Sequence, residues 1–132
     1  MKFRKLLTIF LYLIAMHSLL VGIALIIIPA DNLGYFGFED YQGNFFKVQG
    51  GVFHIVLSLV YAIAAKNIDK HQILVVLTIA AKFIATFFLF SFYVIIEQVW
   101  VVGVSGAGDM IMGILVWYLW RLYNRSGRKS VC

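Results

Sequence analysis

Four ionisable side chains stand inside apolar runs where water is scarce: His17, His54, Lys82 and Asp109. Lys82 interrupts "VVLTIAAKFIATFFLF", and Asp109 interrupts the run from Trp100 to Trp120. Imidazoles change charge near neutral pH and can donate, accept or ligate a metal. A lysine supplies donors, and a carboxylate can accept or carry a proton. Brought together, such groups could hold the carbonyls of a quinone-like or lipid-like head group. They could also relay protons, and the two histidines could ligate a haem b iron axially. Gln49, Ser58 and Thr86 are weaker supporting candidates for the same ligand-binding site.

The elements that must position these groups are set by hydropathy. Of 132 residues, 63% are apolar and 13% charged, with a mean hydropathy of +0.94. Soluble domains carry roughly 45–50% apolar and about 25% charged residues, so a membrane is the solvent to consider. A bilayer core of ~30 Å takes about 20 apolar residues in a helix. Four runs meet that length: 6–28, 45–65, 72–96 and 100–120, with a loop over 29–44 between the first two. The first is too long for the apolar stretch of a signal peptide. It is expected to remain as a helix that stops at Pro29, the single proline. The chain therefore predicts one all-α membrane domain over 1–132, a four-transmembrane-helix bundle. Short connections favour an up-down-up-down arrangement.

Charge orients the bundle. Of eleven lysines and arginines, nine fall in the N-terminal flank, the "KNIDKH" connection and the C-terminal tail. The loop over 29–44 holds Asp31, Glu39 and Asp40 and no base. The positive-inside rule then puts both termini in the cytoplasm. Tyr35, Phe36, Phe38 and Tyr41 suit an interfacial cap at the other side. The net charge of +5 is accounted for by these flanks, which argues against nucleic acid as a partner. The partner implied is the lipid bilayer.

The polar residues share one depth. Counted from the nearest cytoplasmic base or histidine, His17 is 12 residues in, His54 is 12, Lys82 is 11 and Asp109 is 12. At 1.5 Å per residue each lies about 17–18 Å deep, near the midplane. A charge there costs roughly 2.5–3.5 kcal/mol on insertion scales. Lys82 and Asp109, on consecutive helices at one level, are expected to pair and lower that cost for both. Helical spacing predicts inward stripes: Leu13, His17, Leu20 and Ala24 in the first helix, and Lys47, Gly51, His54, Ser58, Tyr61 and Ala65 in the second. Thr78, Lys82, Ala85 and Leu89 form the third stripe, and Gly103, Gly106, Met110, Gly113, Trp117 and Trp120 the fourth. Phe45, Phe46, Phe53, Trp117 and Trp120 are the candidate apolar walls of the site.

Four classes of function follow. The leading one is binding of a quinone-like or lipid-like molecule by an accessory subunit of a redox or catabolic system. The second is a structural or assembly subunit without chemistry. A bis-histidine haem protein and a proton or ion transporter come next, the transporter as a homo-oligomer. Ser18-x-x-x-Gly22 and Gly103-x-x-x-Ala107 are candidate association faces. No Gly-rich phosphate loop, nucleophilic triad or metal motif occurs in the sequence, so an enzyme acting on its own is not indicated. Cys132, the only cysteine, excludes an internal disulfide.

The segments "MHSLLVGIALIIIP", "FFKVQGGVFHIVLSLVYAIAA" and "GAGDMIMGILVWYLWRL" resemble the DoxX-like group of small four-helix bacterial membrane proteins and its BphX-like relatives. The likeness is one of layout: a histidine in the first helix, a Gly-rich second helix and an acid in the fourth. It implies a bacterial inner-membrane bundle acting beside soluble redox or catabolic enzymes, some members resembling subunits that pass electrons to quinone. No established catalytic residue of that group maps onto this chain.

Overall fold

The computed structural model describes residues 2–38 and 43–128. Glu39, Asp40, Tyr41, Lys129 and Cys132 lie outside the described residues. Four long helices run over Lys2–Ile27 (α1), Phe45–Lys66 (α2), Gln72–Ile95 (α3) and Trp100–Arg128 (α4). A short 3-10 helix, Ala30–Phe36, follows α1. All four long helices are long and apolar enough to cross a membrane. α4 continues two turns past Trp120, where its apolar run ends.

The distribution of side chains is that of a protein meant for lipid. Leu20, Phe53, Ile84, Phe87, Phe88 and Val104 are exposed, whereas Lys47, Lys82, Ser18, Ser58, Thr78 and Thr86 are buried. Water would penalise the first group, and a bilayer accepts it. A bilayer core offers no hydrogen bonds, so the second group must find partners within the protein. The hydroxyls do so locally: Ser58 donates to the Ile55 carbonyl at 2.7 Å and Thr78 to Leu74 at 2.8 Å.

α1 packs along α2 and α3 along α4, with lighter contacts joining α1 to α4 and α2 to α3. The first seam closes on glycine. A Cβ on Gly22 would stand 2.7 Å from the Gly51 carbonyl oxygen, and one on Gly51 would stand 2.7 Å from that of Gly22. The second seam uses Gly103 against Tyr93, Gly106 against Leu89 and Phe90, and Gly113 against Lys82 and Phe83. These small residues are therefore occupied within the chain, including Gly22 and Gly103 of the two stretches expected to join separate copies. Buried apolar residues from all four helices gather in one half of the bundle: Leu7, Leu11 and Ile14 with Tyr61, Ala64, Val75, Val116 and Leu119.

Each end of the bundle carries a tie. At one, Arg4 bridges Asp69 at 2.8 Å, and the Tyr123 hydroxyl donates to the same carboxylate. This gathers the start of α1, the α2–α3 turn and the end of α4. At the other, Pro29 ends α1 and leaves carbonyls without helical donors. The buried Lys47 ammonium takes two of them, Leu25 at 2.9 Å and Ile28 at 2.6 Å. Gly37, at φ 96°, then turns the chain so that it rests on Val99 and Trp100. Only glycine suits that turn, because a side chain there would be both left-handed and crowded.

Gly51→Ala is expected to lower stability by about 1–3 kcal/mol, because two backbones must separate to admit a methyl group. Gly108→Ala, where a Cβ would meet nothing within 4 Å, should leave stability unchanged or raise it by up to about 1 kcal/mol. Unfolding titrations in detergent micelles compare the two.

Candidate functional site

The polar layer begins where the shared apolar core ends. α3 carries Lys82 four residues beyond Thr78 and four before Thr86, and all three are buried on one face. The Thr86 hydroxyl donates to the Lys82 carbonyl at 2.8 Å, so it braces the turn that holds the lysine. Opposite, α4 offers Asp109. The Lys82 ammonium donates to Asp109 Oδ1 at 2.5 Å. The lysine side chain is 5% exposed and the aspartate 13%. Gly113 permits this approach, since a Cβ there would press on Lys82 Cβ at 3.2 Å. The ammonium also sits 5.7 Å from the ring centre of the buried Tyr61 on α2, within range of a cation–π attraction.

A second polar contact joins α1 to α2. Ser18 donates to the His54 carbonyl at 3.0 Å, and its oxygen lies 3.2 Å from His54 Nδ1. Which of these two atoms donates to the other depends on the imidazole tautomer. His54 is half-buried and close enough to Lys82, Asp109 and His17 to interact electrostatically with each. One ammonium, one carboxylate and one imidazole thus share a neighbourhood, with Tyr61 beside them.

Two of the expected members are exposed rather than buried in this layer. His17 is exposed on α1, and Gln49 is exposed on α2. The inward stripe of α1 is not the one through Leu13, His17 and Leu20, since Leu13 and Leu20 are exposed too. It runs through Leu7, Leu11, Ile14, Ser18 and Gly22. The cause is steric: the Gly22–Gly51 contact turns the small residues toward α2 and carries the neighbouring imidazole outward. On α4 the buried line passes through Val102, Gly106, Gly113 and Val116, while Met110 and Trp117 face out. The α2 stripe is buried as its spacing predicts, save that His54 is half-buried, and Ser58 lies in it.

The expected walls move as well. Phe45, Phe46 and Phe53 are exposed and do not surround Lys82. A shallow open groove of about 530 Å³ instead runs along α3, lined by Phe83, Thr86, Phe87, Phe90, Ser91 and Ile95. Two of its lining residues also meet α4, Phe90 at Gly106 and Phe83 at Gly113. Sequence spacing alone gave no sign of it, because Phe83 and Phe87 look like ordinary lipid-facing residues. Ser18 and Lys47 gain polar partners here that spacing alone does not give, since it puts Lys47 only in the α2 stripe and Ser18 only on an association face. The position of Lys47, one turn into a helix that follows a proline-terminated one, is the signal that could have found it.

A haem fits this arrangement poorly. α1 and α2 touch through backbone within one turn of His54, where a Gly22 Cβ would lie 3.1 Å from His54 Cβ. Among the described residues no group of three or more His, Cys, Asp or Glu is placed to hold a metal ion.

No protein-family model, curated protein or solved structure matches this chain.

Removing one member of the buried pair should cost about 3–5 kcal/mol, because the other charge is stranded. Lys82→Met alone and Asp109→Leu alone are expected to fall in that range. The double variant should recover most of the loss, giving a coupling energy of opposite sign in a thermodynamic cycle. Lys47→Met should cost about 1.5–3 kcal/mol by freeing the two carbonyls at the end of α1.

Proposed function

We propose that this protein binds a membrane-soluble molecule with a polar head and a long apolar tail, quinone-like or lipid-like, as an accessory subunit of a redox or catabolic system in a bacterial inner membrane. The observation that carries the reading is the buried Lys82–Asp109 pair, one turn from Thr86 at the edge of an apolar groove on α3. The groove is open and its lining is apolar, with the hydroxyl residues Thr86 and Ser91 among it. The tail would lie along Phe83, Phe87 and Phe90. The head would meet Thr86 first and then the Lys82–Asp109 pair. A lysine has three donors, and Asp109 takes one, so donors remain for a carbonyl. The His54 imidazole can donate or accept in the same neighbourhood.

In this reading the four helices form an up-down-up-down bundle with both termini in the cytoplasm. Two observations support it. The start of α1, the α2–α3 turn and the end of α4 meet at Asp69. The bases Lys2, Arg4, Lys5, Lys66, Lys70, Arg121 and Arg125 flank that same set of segments.

The second reading is a structural or assembly subunit in which Lys82 and Asp109 only fix the α3–α4 register. Their direct contact, with no intervening group, favours it.

Organic extraction of the purified protein followed by mass spectrometry separates the two. The binding reading expects about one quinone or lipid species retained through purification, and its loss in Lys82→Met/Asp109→Leu, which preserves the fold. Equal retention in that variant, or an empty extract from native membranes, favours the structural reading. Orientation is checked with a membrane-impermeant thiol reagent. Cys132 should react only from the cytoplasmic side, and Asp31→Cys only from the opposite one.

A further inference from the structure

One face of α4 changes character at a single residue. Met110, Ile114, Trp117, Arg121 and Arg125 recur at spacings of 4, 3, 4 and 4, so they share a side of the helix. All five are exposed. Below Trp117 the strip is apolar, and above it the strip is cationic. Such a strip matches the section through one leaflet, from acyl chain to headgroup. Trp117 stands at the change, the depth that tryptophan prefers. The Arg121 guanidinium lies 5.4 Å from the Trp117 ring centre, which holds it against the helix rather than free in solution. Arg125 follows one turn later, about 6 Å along the axis. Two guanidinium groups at that separation can share the oxygens of one phosphate.

Among the described residues no acid is paired with either arginine. Asp69 is the carboxylate at this end of the bundle, and it is engaged by Arg4 and Tyr123. Tyr123 lies two residues from each arginine, about 200° around the helix, so Asp69 is on the far side of α4.

We propose that Trp117, Arg121 and Arg125 form a binding site for an anionic phospholipid, its phosphate between the two arginines and its acyl chain on Met110, Ile114 and Trp117. The site is separate from the α3 groove. It depends on the helices standing in a bilayer and not on what the groove binds.

The full chain in mixed micelles, titrated with phosphatidylglycerol or with phosphatidylcholine, tests this by native mass spectrometry of the first bound lipid. Phosphatidylglycerol should bind more tightly than phosphatidylcholine. Arg121→Gln or Arg125→Gln should weaken it about 5-fold each, and both together about 30-fold. Arg121→Lys/Arg125→Lys should retain part of the affinity, since the charge stays and the planar fork goes. Lys66→Gln/Lys70→Gln, which removes two charges from the same end but none from the strip, should leave the first site intact. Equal affinity for the two lipids overturns the proposal. So does a loss in the Lys66/Lys70 variant as large as in the arginine variant, which would mean diffuse attraction. Should the double arginine variant fail to fold, the single Arg125→Gln variant and the lipid comparison on the unaltered chain still decide it.

Discussion

The contact between the Lys82 ammonium and Asp109 Oδ1 is where this sequence and its solvent are reconciled. A lysine on the third helix would be costly in hydrocarbon, and so would an aspartate on the fourth. Each removes the other's penalty, and both must therefore sit at one depth on facing sides of α3 and α4. That requirement fixes the register of the two helices. It also accounts for the small residue at 113, where a Cβ would lie 3.2 Å from Lys82 Cβ and crowd the approach of the two helices.

The same demand, that every polar group find its partner inside the protein, organises the rest. Ser18 meets His54, Lys47 meets the last carbonyls of α1, and Ser58, Thr78 and Thr86 bond to carbonyls one turn back. Without a hydrophobic force between helices in lipid, close approach of backbones supplies the packing. Gly22 against Gly51 provides it for the first hairpin, and Gly103, Gly106 and Gly113 for the second. Apolar bulk is left outside, where acyl chains accept it.

Much of this was legible before any coordinates. Four helices follow from run length alone, and the Lys82–Asp109 pairing follows from depth and adjacency. The stripe on α2 could be found because its polar and small residues repeat at one helical spacing. The stripe on α1 could not, because α1 has a single formal clue, His17, and that clue faces outward. In a membrane helix the inward side is marked by small size rather than by polarity, so Ser18 and Gly22 outweigh the histidine. The groove on α3 was illegible for a different reason. Phenylalanines that wall a concavity and phenylalanines that merely face lipid have the same spacing, and only side-chain placement tells them apart.

The carboxylate and ammonium belong to helices that are consecutive in synthesis, joined by four residues between Ile95 and Trp100. Neutralisation of the buried charges therefore awaits nothing from α1 or α2. As the ribosome delivers the last two helices, the lysine is exposed to hydrocarbon only until the next segment arrives. The C-terminal hairpin can then enter the bilayer as an electrically closed unit and dock on the first one afterwards.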